Sequence, residues 1–275
     1  MQEIETGNFA GPRWVLCEPS FIRVVDWNIN RGLQLQRVIE FLAGAKADII
    51  LLQEADLNAR RTHHLDIARE IAQKLQLNYV FGREFQELTQ GSRRSPAYHG
   101  QATLSRWPLS NSRILRFRKQ SNFWHPRWFL PEIDPFQERL GGRLALISEA
   151  NIAGKTIVTY NLHLESKGDD QLRGSQLDEA LEDARRYSMD TPILLTGDFN
   201  LDLSRRPAAA AISRAEFQDA LANHHAATTP GSLLQEGRII DWIFARGPIR
   251  SSKPAVHRSV SASDHYPLSI TVSFC

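Results

Sequence analysis

Apolar residues recur along this chain in two rhythms: alternate positions in short runs, and every third or fourth position in longer ones. FIRVVDWNIN (21–30) is β-branched and apolar-rich and predicts a strand. LQLQRVIEFLAGA (33–45) follows with Leu35, Val38, Ile39 and Leu42 on one helical face, and ADIILLQE (47–54) reads as a buried strand. A helix is expected at about 65–76, then short strands near 79–85 and 99–105. GRLALISEANI (142–152) and KTIVTYNLHLE (155–165) are two strands around Ala153-Gly154, a hairpin signal. Leu172, Leu177, Ala180, Leu181 and Ala184 mark an amphipathic helix over 169–187. TPILLTGDFN (191–200) is a strand, RPAAAAISRAEFQDAL (206–221) is largely helical, and IIDWIFARG, KPAVHRSV and YPLSITVSF close the chain as strands. Strands outnumber helices and several form hairpins, which favours α+β with packed sheets and outer helices over alternating βαβ units. No proline- or glycine-rich linker divides residues 1–275, so a single domain is expected.

The predicted strands share a habit at their ends. The first runs out in Asn28-Ile29-Asn30, the second in Gln53-Glu54, and the second hairpin arm in Asn161-Leu162-His163-Leu164-Glu165-Ser166. The next ends in Asp198-Phe199-Asn200, Asp241 opens DWIFA, and Asp264-His265 precede the last strand. Residues i and i+2 of a strand face the same side, so Asn28 with Asn30, and Asp198 with Asn200, are expected to share a target. Taken singly, an Asn at a chain end is ordinarily a turn residue and an Asp a turn cap. Glu54 differs, because a glutamate directly after IILL is poorly placed for solvent and a buried charge needs a partner. As a set, these residues predict a meeting point at one rim of the sheets.

Composition narrows the class. With 42% hydrophobic and 23% charged residues the chain is that of a soluble globular protein. MQEIETGNFAGPRW is polar and acidic rather than a signal peptide, and no apolar run approaches membrane-spanning length. Two cysteines near opposite ends, Cys17 and Cys275, favour a reducing, cytoplasmic setting. The net charge of +2 conceals an asymmetry: Leu88 to Pro131 carries eight Lys/Arg and no acid, leaving 25 basic against 31 acidic elsewhere. Tyr98, Trp107, Phe117, Phe123, Trp124, Trp128 and Phe129 lie in the same segment, and basic residues interleaved with aromatics suit a phosphate-bearing, stackable partner. The competing account is a connection whose aromatics fill the core. No GxxxxGK[ST] loop and no CxxC spacing is found, and His63-His64 and His224-His225 read as surface pairs.

DWNINRG, LLQE, NLHLES, TGDFNLD, DWIF and SDHYPL, in that order, resemble the endonuclease/exonuclease/phosphatase superfamily, over about residues 21–272. Its members include pancreatic-type deoxyribonuclease, abasic-site endonucleases, sphingomyelinases, inositol polyphosphate 5-phosphatases and tyrosyl-DNA phosphodiesterases. HGQATLSRWPL (99–109) is similar to the family's Gly-Asn-Ala-x-x-Leu-Ser-Arg strand, with different spacing and no Asn. The resemblance implies a four-layer α/β/β/α sandwich, two packed, mainly antiparallel sheets flanked by helices, with Mg²⁺- or Mn²⁺-dependent phosphoester hydrolysis at one end. It makes Glu54 the principal metal ligand, with Asn28 beside the metal and Asp264 close to it. Asn30 stands where abasic-site nucleases have Asp, which removes a carboxylate. Asp198 is implied to orient or deprotonate the attacking water, and Asn200 to donate its amide to the phosphate. His265 would bind or protonate a phosphoryl oxygen, with Asp241 holding its imidazole. His163 matches the second histidine of the deoxyribonuclease branch, with two roles open: protonating the leaving group or contacting the phosphate.

The expected activity is thus a metal-dependent phosphodiesterase on a phosphoester substrate, nucleic acid favoured by the basic, aromatic segment. HLES resembles the tyrosyl-DNA phosphodiesterase branch. The alternative is a phosphatase or phosphodiesterase on lipid head groups or inositol phosphates, with NFWHPRWFL (122–130) meeting a membrane surface. A third reading is a binding protein that kept the fold and lost catalysis. No obligate protein partner is called for.

Overall fold

A computed structural model describes residues 3–11, 19–124, 138–204, 206–222, 224–231 and 236–275. In chain order these form β1 (Ile4–Asn8), β2 (Ile22–Arg31), α1 (Leu35–Ala45), β3 (Ile49–Leu57), α2 (Ile67–Leu75), β4 (Asn78–Glu87), β5 (Ala97–Ser105) and β6 (Leu109–Arg116). They continue with β7 (Arg139–Gly141), β8 (Leu144–Ile152), β9 (Lys155–His163), α3 (Asp170–Ala184), β10 (Ile193–Asp198) and α4 (Arg206–Arg214). The last are β11 (Gln218–Asp219), β12 (Asp241–Arg246), β13 (Ile249–Val256) and β14 (Leu268–Phe274). One sheet has the order β1-β4-β5-β3-β2-β14-β13, with β7 also on β4; the other runs β11-β12-β10-β9-β8-β6. Pairing is antiparallel except for β2–β3 and β9–β10, one parallel pair in each sheet. This is the expected α+β sandwich.

Strand parity decides what each face meets. On β2, Val25, Trp27 and Ile29 turn outward onto α1 and α2, together with Ile50 and Leu52 of β3. Val158, Tyr160 and Leu162 of β9 and Leu195 of β10 turn outward onto α3 and α4. The inward residues Ile22, Val24, Ile49, Leu51, Ile157, Leu194 and Ile243 pack sheet on sheet. Continuing along the same inward rows, the side chains become polar: Asp26 and Asn28 on β2, Gln53 on β3, Asn161 and His163 on β9, and Thr196 and Asp198 on β10, all buried. The space between the sheets is therefore oily at one end and hydrogen-bonding at the other.

That polar end is cross-linked. Gln53 Nε2 donates to Asp26 Oδ1 at 2.9 Å and to Asn161 Oδ1 at 2.8 Å. Asn161 Nδ2 crosses to the opposite sheet and donates to the carbonyls of Leu52 and Ala102, 3.0 Å each. Burial pushes the Asp26 carboxyl well above the ordinary range against the pull of the Thr196 hydroxyl, and the charges of Asp241 and Asp198 add to the rise.

Four strands escape the sequence patterns: β1, β6, β7 and β11. Among the described residues β6 is a sheet edge paired only with β8, and its residues are half-exposed, so it lacks the apolar run of a central strand. The helix expected over 206–221 stops at Arg214; Glu216 turns left-handed (φ 61°), and Gln218–Asp219 join the sheet beside β12. The hairpin turn at Ala153-Gly154 has φ of 50° and 88°, the doubly positive pattern that matches strand twist. Cys275 is exposed with a free thiol, and Cys17 lies outside the described residues. Among the described residues, no helix is long and apolar enough to cross a membrane.

Replacing Asn161 by Ala takes one donor from each of two carbonyls and one acceptor from the Gln53 amide in a buried interface, and each group left unsatisfied costs about 1–3 kcal/mol. A urea titration is expected to show a clear loss of unfolding free energy, roughly 2 kcal/mol or more. An unchanged midpoint would mean that the inter-sheet carboxamide bridge is dispensable.

Candidate active site

The strands that leave the sheets at the polar end do so through side-chain turns. Asn28 Oδ1 accepts from the backbone N–H of Asn30 at 3.1 Å, and Asp198 Oδ1 accepts from that of Asn200 at 2.9 Å. Asn30 (φ 44°) and Asn200 (φ 49°) are left-handed. The i, i+2 pairs are thus Asx-turns, not two side chains of one strand face reaching a shared target. Each turn bends the chain away and leaves its first residue pointing into the cleft. There Asn28 Nδ2 donates to Asp198 Oδ2 at 3.2 Å, joining the two sheets. Just before Asp198, Gly197 (φ 140°) lets β10 pair closely with β9 in its own sheet, since a Cβ there would sit 2.0 Å from the Leu162 carbonyl oxygen.

Glu54 reaches the cleft by a different device. The ladders of β3 with β2 and with β5 both shift register at this point, and Glu54 itself is left-handed (φ 55°). A bulge of this kind re-aims one side chain at the expense of regular pairing. Without it, Glu54 would follow strand parity to the face opposite Gln53 and lie against the α1–α2 layer. Its side chain is 21% exposed and its Oε1 stands 4.0 Å from His163 Nε2. Burial opposes its charge, yet His99, His163, Arg31 and Arg143 together hold the carboxyl well below the usual range.

Asp241 opens β12 directly opposite Asp198. His265 Nδ1 lies 2.9 Å from both Asp241 oxygens, its Nε2 lies 3.8 Å from Asp198 Oδ2, and its carbonyl accepts from Trp27 Nε1 at 2.9 Å. Burial alone would strip the imidazole of its proton; the negative charges of Asp241 and Asp198 prevail and raise its pKa to about 10. His265 is therefore an imidazolium at neutral pH, held in one orientation.

His163 is almost completely buried, with Nε2 3.6 Å from Asp198 Oδ2 and Nδ1 3.2 Å from Glu84 Oε2. Arg143 Nη1 is 2.9 Å from both of its ring nitrogens and 2.9 Å from Glu84 Oε1, and Arg143 Nη2 donates to Ser166 Oγ at 2.8 Å. Burial would raise the Glu84 carboxyl, but Arg143 and His163 bring it to about 2. Two ionisable groups at this rim, Glu84 and Arg143, carried no motif in the sequence. A third, His99, stands at the start of β5, in the inward row Ser105, Thr103, Gln101, His99. That two-residue alternation is the signal that could have found it. Its Nδ1 is 3.4 Å from Asp56 Oδ1, and Asp56 is bound twice by Arg61 at 2.7 Å.

The residues singled out in the sequence fall into two groups by position. Asn28, Glu54, His163, Asp198, Asp241 and His265 are brought together. Asn200 sits beside them, with its amide donating to the Leu164 carbonyl at 3.2 Å, which leaves its second N–H. Asp264 is exposed at the edge, bound by the Ser263 hydroxyl at 3.2 Å and outside both compact ligand groups, Glu54/His99/His163 and Asp198/Asp241/His265. Within each group the ligating atoms lie within 4.8 Å of one another.

The basic, aromatic segment is structural in part, while Arg93, Arg94, Arg118, Lys119 and Phe123 stay exposed. Arg106 pairs with Asp48 at 2.9 Å, Arg113 with Asp183, Arg118 with Glu179 at 3.3 Å, and Arg116 donates to the Gly142 carbonyl at 2.8 Å. Trp107, Phe117 and Trp124 are buried. The acidic partners lie far off in sequence, so a one-sided charge count along the chain does not become a one-sided surface. Arg127, Trp128 and Phe129 lie outside the described residues.

The fold is thus a two-sheet sandwich with carboxylates, carboxamides and imidazoles gathered at one end. The family model described as Endonuclease/Exonuclease/phosphatase family matches residues 27–265, and the chain belongs to that family, whose members hydrolyse phosphoester bonds with divalent metals. Similar folds include the human Nocturnin catalytic domain with bound sulfate (16% identity, 99% of this chain and 98% of that one, TM-score 0.67). A humanized D. rerio TDP2 with 14 mutations also matches (17%, 93% and 100%, 0.62), as does a mannosyl-6-phosphatase of Bacteroides thetaiotaomicron VPI-5482 (16%, 92% and 100%, 0.63). A search of curated proteins matched none.

Because the folded pKa of His265 is raised, the stabilisation from its pair with Asp241 is complete below the unfolded value, ~6.5, and is lost as pH climbs through about 10. In chelator-treated protein, ring ¹⁵N NMR signals are expected to stay those of an imidazolium through pH 8. Asp241→Asn should bring the titration down towards neutrality. A neutral His265 ring at pH 7 in the wild type contradicts this account.

Proposed function

We propose that this protein is a divalent-metal-dependent phosphodiester hydrolase, a nuclease or DNA-end phosphodiesterase, working in the cleft between Glu54 and His265. The observation that carries the reading is the convergence, from both sheets, of an ionised glutamate, an Asn28–Asp198 pair and two buried imidazoles at one rim.

The residues present suit a divalent ion beside Glu54. Its carboxylate is held ionised, and a buried nitrogen close by, His99 Nε2, has no hydrogen-bond partner among the described residues. Glu54 would hold Mg²⁺ or Mn²⁺, while Asp264, exposed beside His265, lies outside the Glu54 group. Bound there, the ion would neutralise charge on phosphoryl oxygens and polarise a water or leaving oxygen. Asn28 would stand beside the ion: its oxygen accepts from the Asn30 N–H and keeps a second lone pair, while its amide holds Asp198.

The protein groups divide the remaining work. Asp198, fixed by Asn28 and flanked by both imidazoles, orients the attacking water. His265 directs a charged Nε2–H at a phosphoryl oxygen, where negative charge grows in the transition state, and Asp241 keeps the ring from turning. Asn200 offers its free N–H to the phosphate. His163, braced by Glu84 and Arg143, contacts a phosphoryl or leaving oxygen.

A second substrate class has support of its own. Arg106 and Arg113 are held by buried carboxylates of the protein itself, which narrows the basic surface open to a long nucleic acid, while Arg31 beside Glu54 suits a compact phosphate. A phosphatase or phosphodiesterase on lipid head groups, inositol phosphates or sugar phosphates fits those facts, and a mannosyl-6-phosphatase shares the fold.

Hydrolysis of a bis-nitrophenyl phosphate ester is expected with Mg²⁺ or Mn²⁺, to stop on chelation, and to vanish in Glu54→Gln. His265→Gln should lower kcat by roughly 10²–10⁴-fold. Activity that survives Glu54→Gln would refute the metal assignment, and none in the wild type would leave only a binding protein of this fold. A salt titration separates the substrates: DNA affinity that drops steeply with salt supports the nuclease. Salt-insensitive DNA binding with selective turnover of inositol or sugar phosphates transfers the activity to the second class.

A further inference from the structure

Three strands carry on beyond the cleft. β3 runs three residues past Glu54 to Leu57, β4 reaches Glu87, and β5 returns from Ala97, with Leu57 opposite Tyr98 and Glu87 opposite Ala97. At ~3.3 Å per residue, this wall rises roughly 10 Å above Glu54. Two connections cap it, residues 58–66 and 88–96, and they are bonded to each other. Asn58 Nδ2 donates to Ser95 Oγ at 2.7 Å, the Arg60 N–H to the Gln90 carbonyl at 2.9 Å, and the Arg61 N–H to Gln90 Oε1 at 3.1 Å. Beneath them the Arg61 guanidinium is anchored on Asp56 and Glu87.

The tip so built is one-sided in charge. Its two connections carry four arginines, two histidines and a single acid. Arg61 is spent inward, but Arg60, Arg93 and Arg94 are exposed, as are His63 and His64. Among the described residues no carboxylate lies within ion-pair distance of Arg60, Arg93 or Arg94, in contrast to Arg106, Arg113 and Arg118. The one acid, Asp66, is half-buried and caps α2, accepting from the Arg69 N–H at 3.0 Å. Glu138, whose carbonyl accepts from the Leu88 N–H, is half-exposed but held by Arg139 at 2.7 Å. Lower down, Arg31 stands across the ladder from Ala55 and adds a cation beside Glu54.

Guanidinium forks match phosphate oxygens, and several of them unpaired on one surface suit a polyanion. A compact sugar or inositol phosphate seated at Glu54 does not reach a surface roughly 10 Å away, whereas a nucleic-acid strand covers that distance in about three nucleotides. An anionic bilayer would call for apolar side chains beside the arginines. The exposed large hydrophobics of the described residues, Phe21, Leu33, Phe123 and Met189, all lie in other segments.

We infer, on the phosphodiesterase reading above, that Arg60, Arg93 and Arg94 form a docking surface for the phosphate backbone of a nucleic acid whose scissile bond lies in the cleft. Contacts of this kind fix affinity and register along the strand and carry no base information. The three arginines stand apart from the reacting groups, so losing them leaves the chemistry on small esters intact.

Fluorescence anisotropy of labelled single- and double-stranded DNA, with chelator present to prevent cutting, measures affinity against salt. Arg93→Ala/Arg94→Ala should weaken binding at least about tenfold at about 0.1 M salt and reduce the slope of log K against log salt by roughly 1–2. Arg93→Lys/Arg94→Lys should keep the wild-type slope, because counterion release depends on charge. Turnover of the bis-nitrophenyl ester should be unchanged in both variants. An alanine variant that binds both DNAs with wild-type affinity and slope overturns the inference. So does wild-type protein that ignores DNA but co-sediments with phosphatidylserine vesicles through these arginines, which would make the tip a membrane contact. Ester hydrolysis with no change in salt slope would sink the docking surface and leave the phosphoesterase standing. The reverse result, a reduced slope in the alanine variant and no hydrolysis by the wild type, would keep the surface and sink the phosphoesterase.

Discussion

Asn161 ties the fold to the chemistry. Its amide donates to backbone carbonyls of the opposite sheet and its oxygen takes the Gln53 amide, which also holds Asp26. Two apolar faces alone would tolerate sliding, since hydrophobic contact has no direction. A buried carboxamide with fixed donors and acceptors does not. It sets how far β9 stands from β3 and β5, and so places His163 opposite Glu54 to within hydrogen-bond tolerance. The order of the inward rows, apolar first and polar last, follows from the same constraint: carboxylates and imidazoles can exist only where the cleft can supply partners or water.

Each buried ion at the rim is matched locally. Arg61 answers Asp56, Arg143 answers Glu84, and His265 answers Asp241. Buried pairs of this kind seldom add much to stability, because removing two charges from water offsets their attraction. Their value lies in fixing orientation before substrate arrives, so that dipoles and charges need not reorganise during reaction. Glu54 shows the same economy in the backbone, where a left-handed residue in a bulge, a conformation costing on the order of 1–3 kcal/mol, aims one carboxylate.

The sequence made the central strands and the convergence readable for one reason: buried strands need alternating apolar positions, and a break in that alternation towards polar residues at a strand end is conspicuous. Asp198, Asp241 and His265 were found that way. Edge strand β6 was hidden because an edge has one neighbour and no need for a continuous apolar face. His99 opens the strand expected over 99–105, but a lone histidine there points to no chemistry until the fold brings Glu54 and His163 to it. The ion pairs of Arg106, Arg113 and Arg118 were unreadable for a different reason: such pairs form between residues far apart in the chain, and Asp48, Asp183 and Glu179 cannot be matched to them without a fold.

Most strands that feed the rim finish or begin there. β2, β9 and β10 end at it and β12 and β14 start from it, while β3 runs on past Glu54 to Leu57 and β4 past Glu84 to Glu87. The segments joining them are therefore outside the hydrogen-bonded ladder, and a residue inserted into one disturbs no strand register. The reacting groups sit on rigid ends, while the walls around them are free to be rebuilt. Such a mouth can change its choice of molecule by altering connector length and composition, with the machinery beneath it left as it is.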